Sequence, residues 1–284
     1  MTDAAKPYVQ SPPITVVQDS ARVGILLPAT SLCRRELVRF VRQRNRIIGA
    51  LATPIVFWLL IGGGMGRSFS AQSLPGGDNY LQFFFPGTLL MILLFTAIFS
   101  TISIIEDRRE GFLQSVLVAP VSRISIVLGK VLGGTILAFG QGLIFLLLSP
   151  LAGIRLSPTE ILLSSMLMLI IAFGLTALGF CIAWRMSSTQ GFHAIMNLFL
   201  MPMWFLSGAL FPPQGAASVL RRIMMLNPLT YGLAGLRRAM YWNDSTSAAL
   251  PSWTICLAIS IASALAIFAI ACIVAGGRVS EDLQ

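Results

Sequence analysis

Acidic side chains are scarce in this chain: eleven Asp and Glu residues stand among 284, against 20 Lys and Arg and a single histidine. With 11% of residues charged and 56% hydrophobic, it falls far below the roughly 25% charge of ordinary soluble domains. Too few charges remain to coat a water-soluble surface, so a membrane protein is the class that fits. Cysteine is rare as well. Cys181, Cys256 and Cys272 lie in or beside apolar runs and Cys33 in a basic segment, which excludes a disulfide framework or a zinc-ligand spacing. H-E-x-x-H and G-x-S-x-G are missing. The only Gly-Lys pair, Gly129-Lys130, lacks the upstream glycine and following Ser or Thr of a phosphate loop. The expectation is therefore no catalytic residue, no metal ligand and no bound cofactor in this chain, with energy supplied by another polypeptide. His193 has no acidic partner at similar depth in its apolar run and reads as a helix-end residue, not a proton relay. Ser207 lies 14 positions further on, about 20 Å along a helix, which excludes a Ser–His pair.

Long hydrophobic runs are what the chain has in abundance. About 20 apolar residues cross a hydrocarbon core of roughly 30 Å, and such runs predict spans at 47–66, 82–105, 128–150, 161–184, 190–211 and 253–276. Lipid cannot hydrogen-bond bare backbone, so the runs must be helical; the strict alternation of a membrane barrel is absent. The predicted fold is all-α, a polytopic membrane protein of six transmembrane helices. Lys and Arg near span ends set orientation. With the N-terminus inside, the cytoplasmic segments carry Lys6, Arg22, Arg34, Arg35, Arg39, Arg42, Arg44, Arg46, Arg108, Arg109, Arg123, Lys130, Arg185 and Arg278, 14 in all, and the external ones Arg67, Arg155, Arg221, Arg222, Arg237 and Arg238, 6 in all. Both termini are thus expected in the cytoplasm. The net charge of +9 hugs membrane ends instead of forming a free basic domain, so nucleic acid is not expected as a partner. Forty-six polar or mixed residues precede the first apolar run, and no cleavable signal is visible.

Two cytoplasmic stretches stand out. In 30–46, "TSLCRRELVRFVRQRNR", basic residues alternate with Leu32, Leu37, Val38, Phe40 and Val41, which suits a helix lying in the interface with its arginines among lipid phosphates and equally a plain positive-inside anchor. In "EDRREGFLQSVLVAPVSR" (106–123), five charges follow 27 residues, Asn79 to Ile105, that have none. The cluster marks where the chain leaves lipid, since a charge at the bilayer centre costs roughly 2.5–3.5 kcal/mol. Beyond Gly111, the residues Phe112, Leu113, Val116 and Leu117 keep helical spacing until Pro120. By themselves these residues allow a solvated loop with snorkelling arginines, the simpler reading, or a short amphipathic helix beneath the membrane.

The order Glu110-Gly111-Phe112-Leu113, Val116-Leu117, Pro120-Val121-Ser122-Arg123 and Leu128-Gly129-Lys130 resembles the ABC-2 family of exporter permeases, of the daunorubicin-resistance and nodulation-factor type. "FFFPGTLLMILLF" (83–95) resembles that family's Pro-Gly opening of the second helix, and "MWFLSGALFPP" with "LNPLTYGLAGLRRAM" resembles its signature between the fifth and sixth helices. The resemblance covers roughly 30–276, the expected transmembrane domain, with 1–29 and 277–284 as cytoplasmic tails. It implies a cytoplasmic coupling helix that docks on an ATPase, with Glu106, Arg109, Glu110, Gly111, Phe112, Leu113, Val116, Leu117, Pro120 and Arg123 as its residues. It also implies an external re-entrant segment acting as a gate, with Pro212, Pro213, Asn227, Pro228 and Tyr231, its arginines facing water or headgroups. Ala234 departs from the pattern, because many relatives carry an acid after N-P-[LM]-[ST]-Y; that acid's role does not transfer.

The implied system is a bacterial inner-membrane exporter of an amphipathic or lipid-like substrate. Two permease chains, identical or different, would pair with two cytoplasmic ABC ATPase subunits that carry the ATP and Mg, with membrane lipids as further partners. Two other classes stay open. An ion-coupled secondary transporter would need buried carboxylates and internally repeated halves, neither of which is read here; a non-transporting membrane scaffold is compatible with the composition. Glycines 62, 63, 64 and 66 and the pair Gly129/Gly133 permit close helix approach.

Overall fold

The computed structural model describes residues 24–65, 79–242 and 250–277. Among these residues there are eleven α-helices and no strand: α1 (Leu26–Arg42), α2 (Arg44–Met65), α3 (Tyr80–Ser100), α4 (Ile102–Arg109), α5 (Phe112–Val118), α6 (Arg123–Leu146), α7 (Pro158–Trp184), α8 (Thr189–Phe205), α9 (Ser218–Leu226), α10 (Pro228–Met240) and α11 (Trp253–Gly276). The expected tails fall mostly outside the described residues, and α1 begins ahead of residue 30.

Among the described residues, five stretches are long and apolar enough to cross a membrane: Ile47–Met65, Tyr80–Arg109 running through α3 and α4, Arg123–Leu146, Pro158–Trp184 and Trp253–Gly276. The sixth expected span, 190–211, is shortened to the 17 residues of α8, about 26 Å of helix. Gly208 takes a left-handed φ of 89°, which ends helical progress there, and Pro212 and Pro213 keep it from resuming.

The charge-free run of 79–105 has a tertiary reason. In its most apolar window 94% of the α3 stretch is buried, against 22% for α2 and 17% for α11. α3 is the hub, surrounded by α2, α6 and α7 with α8 and α10 alongside, whereas α2 and α11 are peripheral. Lipid tails are as apolar as these side chains, so close packing and internal hydrogen bonds hold the hub, not transfer from water. Phe85 stacks on Phe145 at 4.5 Å between ring centroids, with the Trp58 edge against both.

Pro86 and Gly87 position the far end of the bundle. Pro86 has no N–H to offer the carbonyl four residues back, and that carbonyl, of Gln82, instead accepts from the Tyr241 hydroxyl at 3.1 Å. Gly87 lets the chain at Ala209 come close; a Cβ there would lie 3.0 Å from the Ala209 Cβ and oxygen. The Gly87 carbonyl accepts from Trp204 Nε1 at 2.8 Å. At the other end, α1 lies on α6. A Cβ on Gly129 would sit 2.7 Å from the Ala29 oxygen, and one on Gly133 2.8 Å from Glu36 Cβ, so the G-x-x-x-G spacing is the seat of α1.

Candidate functional site

α1 carries three faces. Ala29, Leu32, Cys33, Glu36 and Phe40 are buried. Leu26, Leu27, Val38 and Val41 are exposed and apolar, as a membrane-surface helix would have them. Arg35 and Arg39 turn toward α4. Burial first, and the Glu36 carboxylate second, push the Cys33 thiol up.

Where these helices meet, Asp107 of α4 is fully buried. Arg35 grips it with both arms, Nη2 to Oδ1 at 2.7 Å and Nη1 to Oδ2 at 2.9 Å. Arg39 donates to Oδ1 at 2.7 Å and Lys130 of α6 to Oδ2. A carboxylate has about four acceptor positions, and all are taken. Lys130 also donates to Glu36 at 2.5 Å and to Ser103 at 3.3 Å. Arg39 reaches Glu106 at 2.9 Å and Glu110 at 3.2 Å. Hydrogen bonding to Asp107 raises the Arg35 pKa above its already high value, so its charge is permanent. Charge-assisted, bidentate contacts of this kind are the strong ones, and this set joins α1, α4 and α6 as one unit.

The same α4 reaches to the other side. Arg108 donates to the Trp184 and Met186 carbonyls at 2.6 and 3.0 Å, with its guanidinium 5.7 Å from the Trp184 ring. Arg109 donates to the Ser187 carbonyl at 3.1 Å. Cations thus cap the C-terminus of α7, where the helix dipole is negative.

α4 then turns into α5 at Gly111, whose φ of 74° is left-handed. Phe112 lies under Arg35, 3.6 Å from guanidinium carbon to ring centre, a contact that attaches α5 to the ionic cluster. Leu113 is 3% exposed, inside the chain's own core, with Leu117 packed against that core. The apolar spacing of α5 is therefore used largely within the chain. Val116 and Arg123 are half-buried, Gln114, Ser115, Ala119 and Pro120 are exposed, and Val118 is 79% exposed.

Arg35, Glu36, Arg39, Ser103, Asp107 and Lys130 were not singled out as a site by sequence. Lys130 was the available signal, since an ionisable residue within an apolar run demands a partner. The expectation of no buried carboxylate is also corrected: Asp107, Glu36 and Glu160 are buried. Glu160 accepts from the Ser157 N–H at 2.7 Å in the capping box of α7.

At the opposite end, α10 completes α8. The last carbonyls of a helix lack partners within it. Here Asn227 Nδ2 donates to the Met203 oxygen at 2.6 Å, Thr230 to Leu206 at 3.2 Å and Arg237 to Gly208 at 2.9 Å. Asn227 also caps α10 through Leu229 N–H at 3.0 Å, with Pro228 at the first helical position. Pro212 leads into a short 3-10 turn begun by Pro213, and Tyr231 is half-buried. The expected water-facing arginines divide. Arg221 and Arg222 on α9 are exposed, Arg238 bonds the Pro251 and Leu250 carbonyls, and Arg237 is buried over Phe83, 4.2 Å from the ring centre.

A family model of ABC-2 type transporters matches residues 29–241, from the first buried residue of α1 to the C-cap of α10. The chain belongs to the ABC-2 type transporter family. A putative transport permease ycf38 from Cyanophora paradoxa is 30% identical over 208 residues, covering 72% of this chain and 71% of that one. Nodulation protein J from Sinorhizobium fredii is 25% identical over 213 residues, 74% and 80% of the two chains. A probable multidrug ABC transporter permease, YbhR, from Escherichia coli is 25% identical over 175 residues, 59% and 46%. This ABC-2 permease is the membrane subunit of an ABC exporter, a multi-pass protein that is not catalytic by itself. Its ionic cluster and the α8–α10 junction lie toward opposite ends of the α3–α4 rod, Phe83 and Asp107 being about 36 Å apart along it.

Proposed function

We propose that the permease acts with a second permease chain and two cytoplasmic ABC ATPases, which hold ATP and Mg and hydrolyse the nucleotide, to move an amphipathic or lipid-like substrate out of a bacterial inner membrane. In this reading α8 is the fifth of six spans, both termini are cytoplasmic, and the segment 212–252, of which 243–249 lie outside the described residues, contributes a partly re-entrant external gate through 212–242 and 250–252. The 14-to-6 basic bias supports the orientation. The observation that carries the proposal is the attachment of α5: through Gly111, Arg35–Phe112 and the Asp107 cluster, a push on α5 reaches α1, α4 and α6 together, and through Arg108 it reaches α7.

The exposed edge of α5, Gln114 and Val118, with Pro120 just beyond the helix, then meets the ATPase, while Leu113 and Phe112 hold α5 to the permease. Burying one Val side chain at such a contact is worth roughly 1.5 kcal/mol or more, at least about tenfold in affinity. Val118→Asp leaves the permease folded and inserted but loses the cognate ATPase in pull-downs at equal permease level. Leu113→Asp instead lowers permease stability itself. Full ATPase recovery and coupling with Val118→Asp would remove α5 as the docking element. A single cysteine at Ser115, in a background without the four native cysteines, resists an impermeant label in intact cells; labelling from outside would invert the topology.

A further inference from the structure

Arg237 is 3% exposed yet has no carboxylate within ion-pair distance among the described residues. One nitrogen donates to the Gly208 carbonyl at 2.9 Å, the Phe83 ring lies beneath it, and its Nε–H has no hydrogen-bond partner among the described residues. A buried cation without an anion is expensive, because desolvation of the charge goes uncompensated. Arg237 lines a cavity of about 40 Å³ whose wall is mostly apolar, Leu233, Leu250 and Pro251 among it, with Ser207, Tyr231 and a second arginine, Arg221, among its polar members. At roughly 10–15 Å³ for each water by this measure, the cavity holds about three waters, the room of one phosphate or carboxylate group.

Arg221 belongs at once to a second, open groove of about 800 Å³ on α9, with Arg222, Met225 and Leu226. Beside it α9 exposes Val219 at 68% and Leu226 at 84%. A small, mostly apolar chamber with two arginines and no carboxylate among its described lining residues thus shares Arg221 and Met225 with an apolar, basic helix face.

We propose that this chamber binds the anionic head of a single-tailed or double-tailed amphiphile, a phosphate monoester or diester, with Arg237 as the buried contact, Arg221 at the mouth and the tail along α9. Such a head comes from a membrane phospholipid or from the exported molecule. The identification of cargo, though not the binding, rests on the exporter reading, so binding is measured on the full-length permease in phosphatidylcholine nanodiscs without ATPase.

n-Dodecyl phosphate is titrated against thermal unfolding, with dodecyl phosphocholine and inorganic phosphate in parallel. Saturable stabilisation by dodecyl phosphate is expected. Losing one charge-assisted contact weakens binding about ten- to a hundred-fold, so Arg221→Gln, an exposed position that folds, should shift the midpoint by that factor. Arg237→Lys, which keeps the charge but loses the fork, should weaken it further, while Arg155→Gln, the same charge change elsewhere, should leave it alone. Phospholipid co-purifying with the wild type and depleted in Arg221→Gln assigns the head to the membrane; no enriched lipid, with dodecyl phosphate still bound, assigns it to cargo. No saturable effect on the wild type, equal binding of inorganic phosphate, or unchanged affinity in Arg221→Gln overturns the site. Loss of ATPase docking would leave these results untouched.

Discussion

Asp107→Asn is the sharpest perturbation of the ionic cluster, because it preserves shape and removes charge. The carboxylate accepts four donors: two from Arg35, one from Arg39 and one from Lys130. An asparagine has one oxygen with two acceptor positions and turns an NH₂ toward the remaining donors. Two charge-assisted hydrogen bonds are lost at roughly 1.5–3 kcal/mol each, and three cations are left facing a neutral amide. The sum, about 3–6 kcal/mol, agrees with the ~3–5 kcal/mol typical of breaking a buried ion pair from one side. Lys130→Met is comparable. It removes two charge-assisted bonds, to Asp107 and Glu36, and leaves buried Glu36 with only Arg35 at 3.6 Å, so the loss should again be about 3–6 kcal/mol. In the double variant the missing cation relieves part of the damage, and the coupling should be about 1–3 kcal/mol. Unfolding of the purified permease in mixed dodecyl maltoside and SDS micelles, followed by tryptophan fluorescence, measures all three. Single effects that add to within about 0.5 kcal/mol would mean that Asp107 and Lys130 do not share one site.

Three further expectations follow from the same geometry. Gly129→Ala should loosen α1, since its Cβ meets the Ala29 oxygen at 2.7 Å, whereas Gly140→Ala, with nothing within 4 Å, should be neutral or gain about 0.5–1 kcal/mol; limited proteolysis at the arginines of α1 distinguishes them. Gly111→Ala should lower stability by about 1–2 kcal/mol through its left-handed φ alone, its Cβ meeting only Gln114 Oε1 at 3.7 Å, and Gly111→Asn should lose less; equal losses would point to a clash instead. Since the thiolate is the reactive form and the Cys33 pKa is raised, native Cys33 should react slowly with N-ethylmaleimide at neutral pH and quickly in SDS. Fast stoichiometric labelling of the folded permease would show that α1 is not seated on α6.

Several features of this permease were determined by one-dimensional facts. Scarce charge and long apolar runs made it a polytopic helical membrane protein, because no other chain can hide so much hydrocarbon. The order of short motifs from Glu110 to Lys130, and again around "NPLTYGL", pointed to the ABC-2 family. The spacing of Gly129 and Gly133 permitted a close helix contact, and the structure places α1 there.

What such facts left open was which neighbour each residue would meet. α3 reads as apolar all round whether lipid or protein surrounds it; only the tertiary structure made it the hub. Leu113 and Val118 are both apolar residues of one short helix, and the Arg35–Phe112 contact and the core beneath α4 decided that the first faces inward and the second outward. Asp107 and Lys130 are 23 positions apart and Arg35 is 72 from Asp107, too remote for any local pattern to couple them. Arg237 and Arg238 stand side by side in sequence, but successive helical positions point about 100° apart. One therefore enters the chamber beside Gly208 and the other bonds the carbonyls before α11. Pairing, burial and direction are properties of the assembled bundle, and the chemistry of both ends of this permease lies in them.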